Sequence, residues 1–293
     1  MCNRDSRRSG LLGVALIGWL LLVCSGCSDH PATPASEGAA ECGAQSTYDR
    51  TNFTHSAHVD NKWLPLVPGT QFVLEGRANR GGGLLPHRVV LTVTDLTKVI
   101  HGVRTVVLWD RDFQNDRLEE AELAFHAQDR FGNVWNLGEY PELYERGEFV
   151  GAPSTWFSGL AGAEAGIIAP GEARLGARYL QGWSRDISFL DCGSVFKIGG
   201  STCVPVGCYD NLLEVDEFGP LEPGTGHQRK YYAPGVGNIS IGAVGDQEAE
   251  TLVLIELNHL GPRDRADANR QALALERHAY KVNEMYRFTE PSR

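Results

Sequence analysis

Short runs of apolar or alternating residues, separated by turn-forming residues, fill the chain from residue 71 onward. Alternation with a period of two is typical of strands, and runs at this close spacing predict an all-β sandwich or a barrel-like antiparallel sheet. Turns at 101–103 and 129–132 predict two hairpins. The predicted strands span 71–76, 89–100, 104–112, 120–128, 133–137, 174–181, 194–198, 212–217, 228–233, 238–243 and 251–257.

Two further segments differ from this pattern. Residues 153–171 are rich in Gly and Ala and predict either a loop or a poorly formed helix across the sheet. At the C-terminal end, apolar residues recur at intervals of three and four, which predicts a helix that begins near Asp264 or Asp267. We expect this helix to pack on the β-rich body, with partner binding as the alternative. Its apolar face would comprise Ala272, Leu275, Ala279, Val282 and Tyr286.

The first 27 residues have the organisation of a lipoprotein export signal. Three arginines precede an apolar run over 11–23, and the sequence Cys24-Ser25-Gly26-Cys27 follows. The mature chain would begin at Cys27, whose acyl groups would hold the protein on a membrane. Cys24 stands where Leu is commonest in such signals, so ordinary signal cleavage and an uncleaved anchor remain alternatives. The apolar run is shorter than the roughly 20 residues that span a bilayer.

Composition defines the remaining domain organisation. Residues 1–26 form the predicted signal peptide, 27–47 a flexible tether rich in small and polar residues, 48–260 a β-rich domain and 261–293 the C-terminal helix. The net charge of −10 becomes −12 once the signal, with three Arg and one Asp, is removed. Such a charge repels nucleic acid, which we therefore exclude as a partner, and leaves the lipid as the contact with the membrane.

Four cysteines would remain in the mature chain besides the acylated Cys27. An even number of cysteines in an exported protein favours two disulfides, for which three pairings are possible. We favour Cys203 with Cys208, because the intervening residues 204–207 contain Pro and Gly and can form a tight turn. Cys42 with Cys192 then follows by elimination. Zinc is the competing interpretation, but paired C-x₂₋₄-C ligands are missing, and we predict neither a metal nor a cofactor.

One polar group of residues could carry chemistry. Strand alternation places Glu120, Glu122 and His126 on one face of a strand, and Asp110 and Asp112 on one face of the preceding strand. If these faces coincide, carboxylates and an imidazole would converge, as acid/base hydrolysis or the binding of a hard cation requires. A solvated charged face of the sheet is the alternative. The candidates for catalysis are Asp110, Asp112, Glu122 and His126.

Three segments carry a resemblance to a known family. VDNKWLPLVPGT (59–70), AQDRFGNVW (127–135) and KYYAPGVG (230–237) resemble a family of exported bacterial proteins without an assigned activity. Residues 203–213, followed by 230–237, also resemble a strand pair of periplasmic proteins with lipoprotein-carrier-like folds. The resemblance implies a curved antiparallel sheet, or a half-open β-barrel or sandwich, with a helix against one face, and it carries over no catalytic residues.

These observations predict a lipid-anchored protein of the cell envelope, on its periplasmic or extracellular face, rather than an enzyme. The predicted activity is binding of a hydrophobic ligand between the curved sheet and the helix, or of an envelope partner. A hydrolase or lyase that acts on an envelope or environmental polymer is the first alternative, and it requires the four candidate residues to meet in one site. A structural lipoprotein that docks through a sheet edge is the second.

Overall fold

A computed structural model describes residues 36–293, apart from residues 45, 46, 222, 223, 225 and 246. The predicted signal peptide, Cys27 and the first part of the predicted tether lie outside the described residues. The helices are α1 (Glu37–Glu41) and α2 (Pro262–Val282), with single 3₁₀ turns at Arg50–Asn52 and Met285–Phe288. The strands are β1 (Thr70–Asn79), β2 (Leu84–Ile100), β3 (Val103–Gln114), β4 (Arg117–Gln128), β5 (Val134–Glu145), β6 (Glu148–Gly151), β7 (Trp156–Phe157), β8 (Glu164–Ala169), β9 (Arg178–Ser184), β10 (Phe189–Ile198), β11 (Ser201–Val204), β12 (Gly207–Asp210), β13 (Leu213–Phe218), β14 (His227–Ala233), β15 (Gly237–Val244) and β16 (Thr251–His259).

Twelve of the described strands form a closed antiparallel barrel. The order around the barrel is β4-β3-β2-β1-β16-β15-β14-β13-β10-β9-β8-β5, and β5 pairs back with β4. Strands β6 and β7 add to β5 outside this ring, and β11 and β12 form a separate hairpin. The mainly β fold with a C-terminal helix is therefore confirmed. Closure pairs the sheet edges that an open sheet would expose.

Tight turns fix the register of the first hairpins. His101 and Gly102 join β2 to β3 with φ values of 49° and 77°, and Asn115 and Asp116 join β3 to β4 with 50° and 61°. Two consecutive residues with positive φ are typical of the hairpin turns that match strand twist. The segment 153–171 is neither a simple loop nor a helix, because it contains β7 and β8. Its alternation is hard to recognise because these strands are short and small residues interrupt them.

The C-terminal helix packs on the outer face of the barrel, against β2 and β4. It begins after the N-cap Gly261, with Pro262 in the first turn, so the predicted start at Asp264 or Asp267 is wrong. Proline suits this position because it has no backbone N–H, and the first N–H groups of a helix find no partner within the helix. Tyr286 lies beyond the helix, in the 3₁₀ turn Met285–Phe288.

The space between the barrel and this helix is filled by side chains. Phe125, Tyr140 and Tyr286 are fully buried there, and the rings of Tyr140 and Tyr286 lie 4.9 Å apart in an edge-to-face contact. Aromatic packing leaves no room for the predicted hydrophobic ligand around these three residues. Binding of such a ligand elsewhere along the helix stays a prediction.

Residues 36–44 are docked on the barrel, although the sequence predicts a tether as far as residue 47. Ala39 and Cys42 are buried in a small second core with Leu180 and Trp183, and Cys42 forms a disulfide with Cys192. The tether prediction is therefore wrong for this segment, because a covalent bond and buried apolar contacts hold it. Cys203 pairs with Cys208 across the β11–β12 hairpin, so both disulfides are the ones that we favour from the sequence. Among the described residues, no helix is long and apolar enough to cross a bilayer.

Candidate functional site

The barrel contains a partly open cavity of about 240 Å³ whose walls carry several ionisable side chains. Alternation along β3 and β4 turns every second side chain inward, and closure brings β5, β13 and β14 around the same space. Leu64, from the segment before β1, also contacts the cavity. The lining residues are Leu64, Leu91, Leu108, Asp110, Glu122, Ala124, His126, Asn136, Glu139, Ile168, Gln181, Phe189, Asp191, Glu217, Lys230, Tyr232 and Asn238.

The β3–β4 hairpin places two pairs of carboxylates directly opposite each other. Asp110 faces Glu122, and Asp112 faces Glu120 one step further along the same ladder. The two pairs are separated by roughly 6.6 Å along the strands, since each residue advances the strand by about 3.3 Å. We call these four residues the carboxylate ladder. Like charges in directly opposed positions destabilise a sheet unless protons or a cation reduce their charge.

Three of the four candidate residues lie on one cavity. Asp110, Glu122 and His126 all line it, as the shared-face argument predicts. Asp112 lines a second cavity instead, of about 450 Å³, which continues along the ladder and is also lined by Glu120. The four residues therefore share the inner face of the barrel, but they do not meet in a single site, and a catalytic role for any of them stays a prediction.

The carboxyl groups on the cavity hold their protons more tightly than usual. Burial raises the pKa of Asp110 well above its ordinary range, and the neighbouring charges of Asp112 and Glu120 add to the effect. Burial raises the pKa of Glu122 in the same way, and the negative charge of Glu139 makes the largest electrostatic addition to this shift. These side chains lie deep in the barrel but keep part of their surface on the cavity. Protonation therefore reduces the repulsion within the ladder.

Glu139 is held in place by two hydrogen bonds. Asn136 Nδ2 donates to its carboxylate over 2.5 Å, and Trp156 Nε1 donates over 3.0 Å. Burial nevertheless raises the pKa of Glu139, because the hydrogen bonds and the charge of Lys230 only partly offset the loss of solvent. The carboxylate therefore has a fixed position on the cavity wall.

Lys230 is the positively charged residue on this cavity, and it is paired. Burial disfavours its charge, but the ion pair with Glu217 more than compensates, so the pKa of Lys230 is raised. Gln181 Nε2 also donates to Glu217 over 2.8 Å, and the hydroxyl of Tyr232 donates over 3.4 Å. Lys230 and Glu217 therefore form a satisfied group opposite the carboxylate ladder.

His126 contributes an uncharged imidazole to the cavity. Only 6 % of the residue is exposed, and burial lowers its pKa to about 4. Its Nδ1 has no hydrogen-bond partner among the described residues, and the same holds for Oδ1 of Asp110. Buried polar atoms are normally paired with protein groups or water, so both atoms have hydrogen-bonding capacity that the described protein groups do not use.

A network of charged side chains lies where the ladder ends. His87 Nδ1 is 3.2 Å from Asp112 and its Nε2 is 2.8 Å from Glu250, while Arg80 approaches both carboxylates at 3.3 and 3.4 Å. Burial raises the pKa of Asp112 to about 6, although His87 and Arg80 oppose the shift. Asp112 therefore already has charged partners within the protein, namely His87 and Arg80.

Several residues of the site are missed by the sequence analysis. Glu139 lies beyond the predicted end of its strand at residue 137. Glu217 and Lys230 lie in predicted strands, but no sequence pattern shows that these strands face β4 across the barrel. His87 precedes the predicted start of its strand at residue 89. The sequence pattern that could have identified Lys230 is the alternation within β14, because it places Lys230 and Tyr232 on one face of the strand.

Glu120 provides a direct test of the ladder. Burial and the charges of Asp112 and Glu139 raise its pKa to about 7 from an ordinary value of 4.5. The folded protein therefore binds a proton that the unfolded chain releases, and stability falls as the pH rises from about 4.5 to about 7. Glu120→Gln imitates the protonated form and should remove this loss. We expect the melting temperature of the variant to exceed that of the wild type increasingly from about pH 5 to about pH 8.

The control for this experiment is Glu75→Gln, which changes an exposed carboxylate of β1. Its melting curve should run parallel to that of the wild type over the same pH range. A Glu120→Gln curve that is also parallel would contradict the raised pKa.

The fold and the site together define a closed antiparallel barrel with a polar interior cavity and a helix on its outer face. No protein-family model and no curated protein sequence matches the chain. The chain is similar to the solved structure of a "putative exported protein with YmcC-like fold" from Bacteroides fragilis, with 14% identity, a TM-score of 0.38 and coverage of 68% of this chain and 99% of that one.

A second solved structure, of a "putative lipoprotein" from Parabacteroides distasonis, also has 14% identity, with a TM-score of 0.36 and coverage of 68% and 100%. The identities and TM-scores of both structures are too low to transfer a function to this chain.

Proposed function

We propose that the protein is a lipid-anchored extracytoplasmic binding protein that holds a small water-soluble ligand inside its barrel. The observation that carries this proposal is the cavity of about 240 Å³, whose polar lining includes buried atoms without protein partners. Ligand sites are usually concave, preformed and equipped with a few polar groups that fix orientation. At about 240 Å³ this cavity is smaller than the roughly 300–1,000 Å³ typical of that class, which favours a small ligand over a lipid.

The proposed location is supported by the disulfides and by the N-terminal sequence. Disulfides persist mainly in oxidising compartments, and here one of them joins residues 150 positions apart. The sequence before Cys27 has the order of a lipoprotein signal. Acylation of Cys27 would keep the barrel at a membrane surface.

The two alternative functions receive less support. The four residues that the hydrolase hypothesis needs do not meet in one site, because Asp112 lines a different cavity and is engaged by His87 and Arg80. Docking through a sheet edge requires a free strand edge, and among the described strands only the short β6, β7, β11 and β12 offer one, because the twelve strands of the barrel are paired on both sides. A ligand inside the barrel is compatible with both facts.

The experiment is native mass spectrometry of the mature protein, purified from its host's envelope in mild detergent. We expect the wild type to carry a small molecule in addition to the acyl anchor. Ala124→Phe should lack this molecule, because Ala124 lines the cavity and a phenyl ring would fill it. Glu75→Phe, at an exposed position of β1, should retain the molecule.

Melting temperatures would establish that each variant is folded before the masses are compared. Identical masses for the folded wild type and Ala124→Phe, both without a bound molecule, would contradict the binding function.

A further inference from the structure

We propose that the ligand of the barrel cavity is a small organic cation of the amine or guanidine type, held by the carboxylates of Asp110, Glu122 and Glu139. This inference rests on the proposed binding function and adds the chemical class of the ligand.

The balance of charge in the cavity supports a positively charged ligand. Lys230 is committed to Glu217, which also accepts hydrogen bonds from Gln181 and Tyr232. No ion pair joins Asp110, Glu122 or Glu139 to a basic residue in the part of the chain that the structure describes. Burial favours the protonated form of these carboxyl groups while no ligand is bound, and a bound cation would take the place of their protons, because hydrogen bonds between ionised groups are stronger than neutral ones.

A second and independent observation concerns the hydrogen-bonding capacity of the walls. The Nδ1 atom of His126 is buried without a partner, in a residue that is only 6 % exposed and lines the cavity. The Oδ1 atom of Asp110 is also unpartnered. The unpartnered Nδ1 of a neutral imidazole can accept a hydrogen bond, and carboxyl groups that have released their protons offer only acceptors, so a ligand with N–H donors would satisfy both. Ammonium and guanidinium groups carry only donors.

A bound cation would explain why this sheet contains like charges in directly opposed positions. Asp110 opposite Glu122, followed by Asp112 opposite Glu120, costs stability in a protein without a ligand. Residues that break a local folding rule in this way are concentrated at functional sites. Asp112 and Glu120 line the cavity of about 450 Å³, and Asp110 and Glu122 line the inner cavity, so the negative charge of the ladder would attract a cation toward both.

The geometry favours an organic cation over a metal ion. Within the described part of the chain, no three His, Cys, Asp or Glu side chains are arranged as metal ligands. Calcium needs six to eight oxygen ligands at about 2.3–2.6 Å, which places carboxylates in a compact cage. Here the carboxylates are spread along the wall of a cavity that has room for several heavy atoms.

The experiment uses matched pairs of charged and neutral compounds on the purified mature protein. Isothermal titration calorimetry would compare 1,4-diaminobutane with 1,4-butanediol, and guanidinium with urea, at one pH and ionic strength. We expect saturable binding of at least one cation and none of its neutral counterpart. Glu122→Gln should weaken this binding about tenfold or more, as expected for one charge-assisted hydrogen bond. Glu75→Gln should leave the affinity unchanged.

Three results would overturn the inference: equal binding of the neutral counterparts, unchanged affinity in a folded Glu122→Gln variant, or binding of Ca²⁺ that excludes both organic cations. The mass spectra described above separate this failure from that of the binding function. A neutral or anionic molecule in the wild type, missing from Ala124→Phe, would refute the cation and leave the binding function intact. A wild type with no bound molecule and no affinity for any of the compounds would refute both.

Discussion

Replacement of Cys42 and Cys192 together by serine is expected to lower the free energy of unfolding by about 5 kcal/mol. The disulfide joins residues 150 positions apart, and in the chain-entropy model a cross-link of this length removes much of the freedom of the unfolded chain. The bond also holds residues 36–44 against Leu180 and Trp183. Loss of the bond should therefore release this segment as well as destabilise the barrel.

The second disulfide is a matched control within the same protein. Cys203 and Cys208 are only 5 positions apart, so the same model expects a loss of about 2 kcal/mol for the double serine variant. Urea unfolding of the wild type and both variants, followed by circular dichroism, measures the two losses. Equal losses, or a larger loss for the Cys203 and Cys208 pair, would contradict the argument from loop length.

The hairpins of this fold can be predicted from the sequence because their determinants are local. Turn residues at 101–102 and 129–132 fix where β2, β3, β4 and β5 begin and end, and alternation then decides which side chains share a face. The pairing of Asp110 with Glu122 depends instead on the turn at Asn115 and Asp116 between β3 and β4, which is not among the predicted turns. Sequence therefore predicts which side chains share a face of each strand, and the structure adds the register that brings the two faces together.

The remainder of the site depends on contacts that are distant in sequence. Lys230 and Glu217 reach the cavity through the pairing of β13 with β14 and the closure of the barrel, which no local pattern encodes. Glu139 is missed for another reason: β5 continues through Gly138 and Pro141, and glycine and proline usually interrupt strands. The polarity of the interior is likewise a property of the closed sheet.

A buried ion pair joins the C-terminal helix to the barrel. Lys98 of β2 is fully buried, and its Nζ lies 2.8 Å from Oε1 of Glu276 and 3.1 Å from the hydroxyl of Tyr280. Glu276 also accepts hydrogen bonds from Tyr286 and from Ser292. Burial lowers the pKa of Lys98, and the charge of Glu276 counteracts this shift. Each of these two buried charges is therefore tolerated in the folded protein because the other one is present.

Glu276→Leu is expected to lower the free energy of unfolding by about 3–5 kcal/mol, because it leaves the buried ammonium of Lys98 without its counter-charge. Urea unfolding at pH 7 measures the loss. An exposed ion pair serves as the control: Arg174→Ala breaks the contact with Glu172, where both side chains are about three quarters exposed, and should have no measurable effect.

The double variant Lys98→Met/Glu276→Leu distinguishes an uncompensated charge from lost packing. Removal of both charges eliminates the desolvated ammonium, so the double variant should be more stable than Glu276→Leu alone. The pH dependence gives a second criterion. Without Glu276 the folded state depresses the pKa of Lys98 further, so the destabilisation of Glu276→Leu should shrink as the pH rises from 7 toward the ordinary lysine pKa. A loss that is independent of pH and equally large in the double variant would mean that Glu276 acts through packing and its bonds to Tyr286 and Ser292.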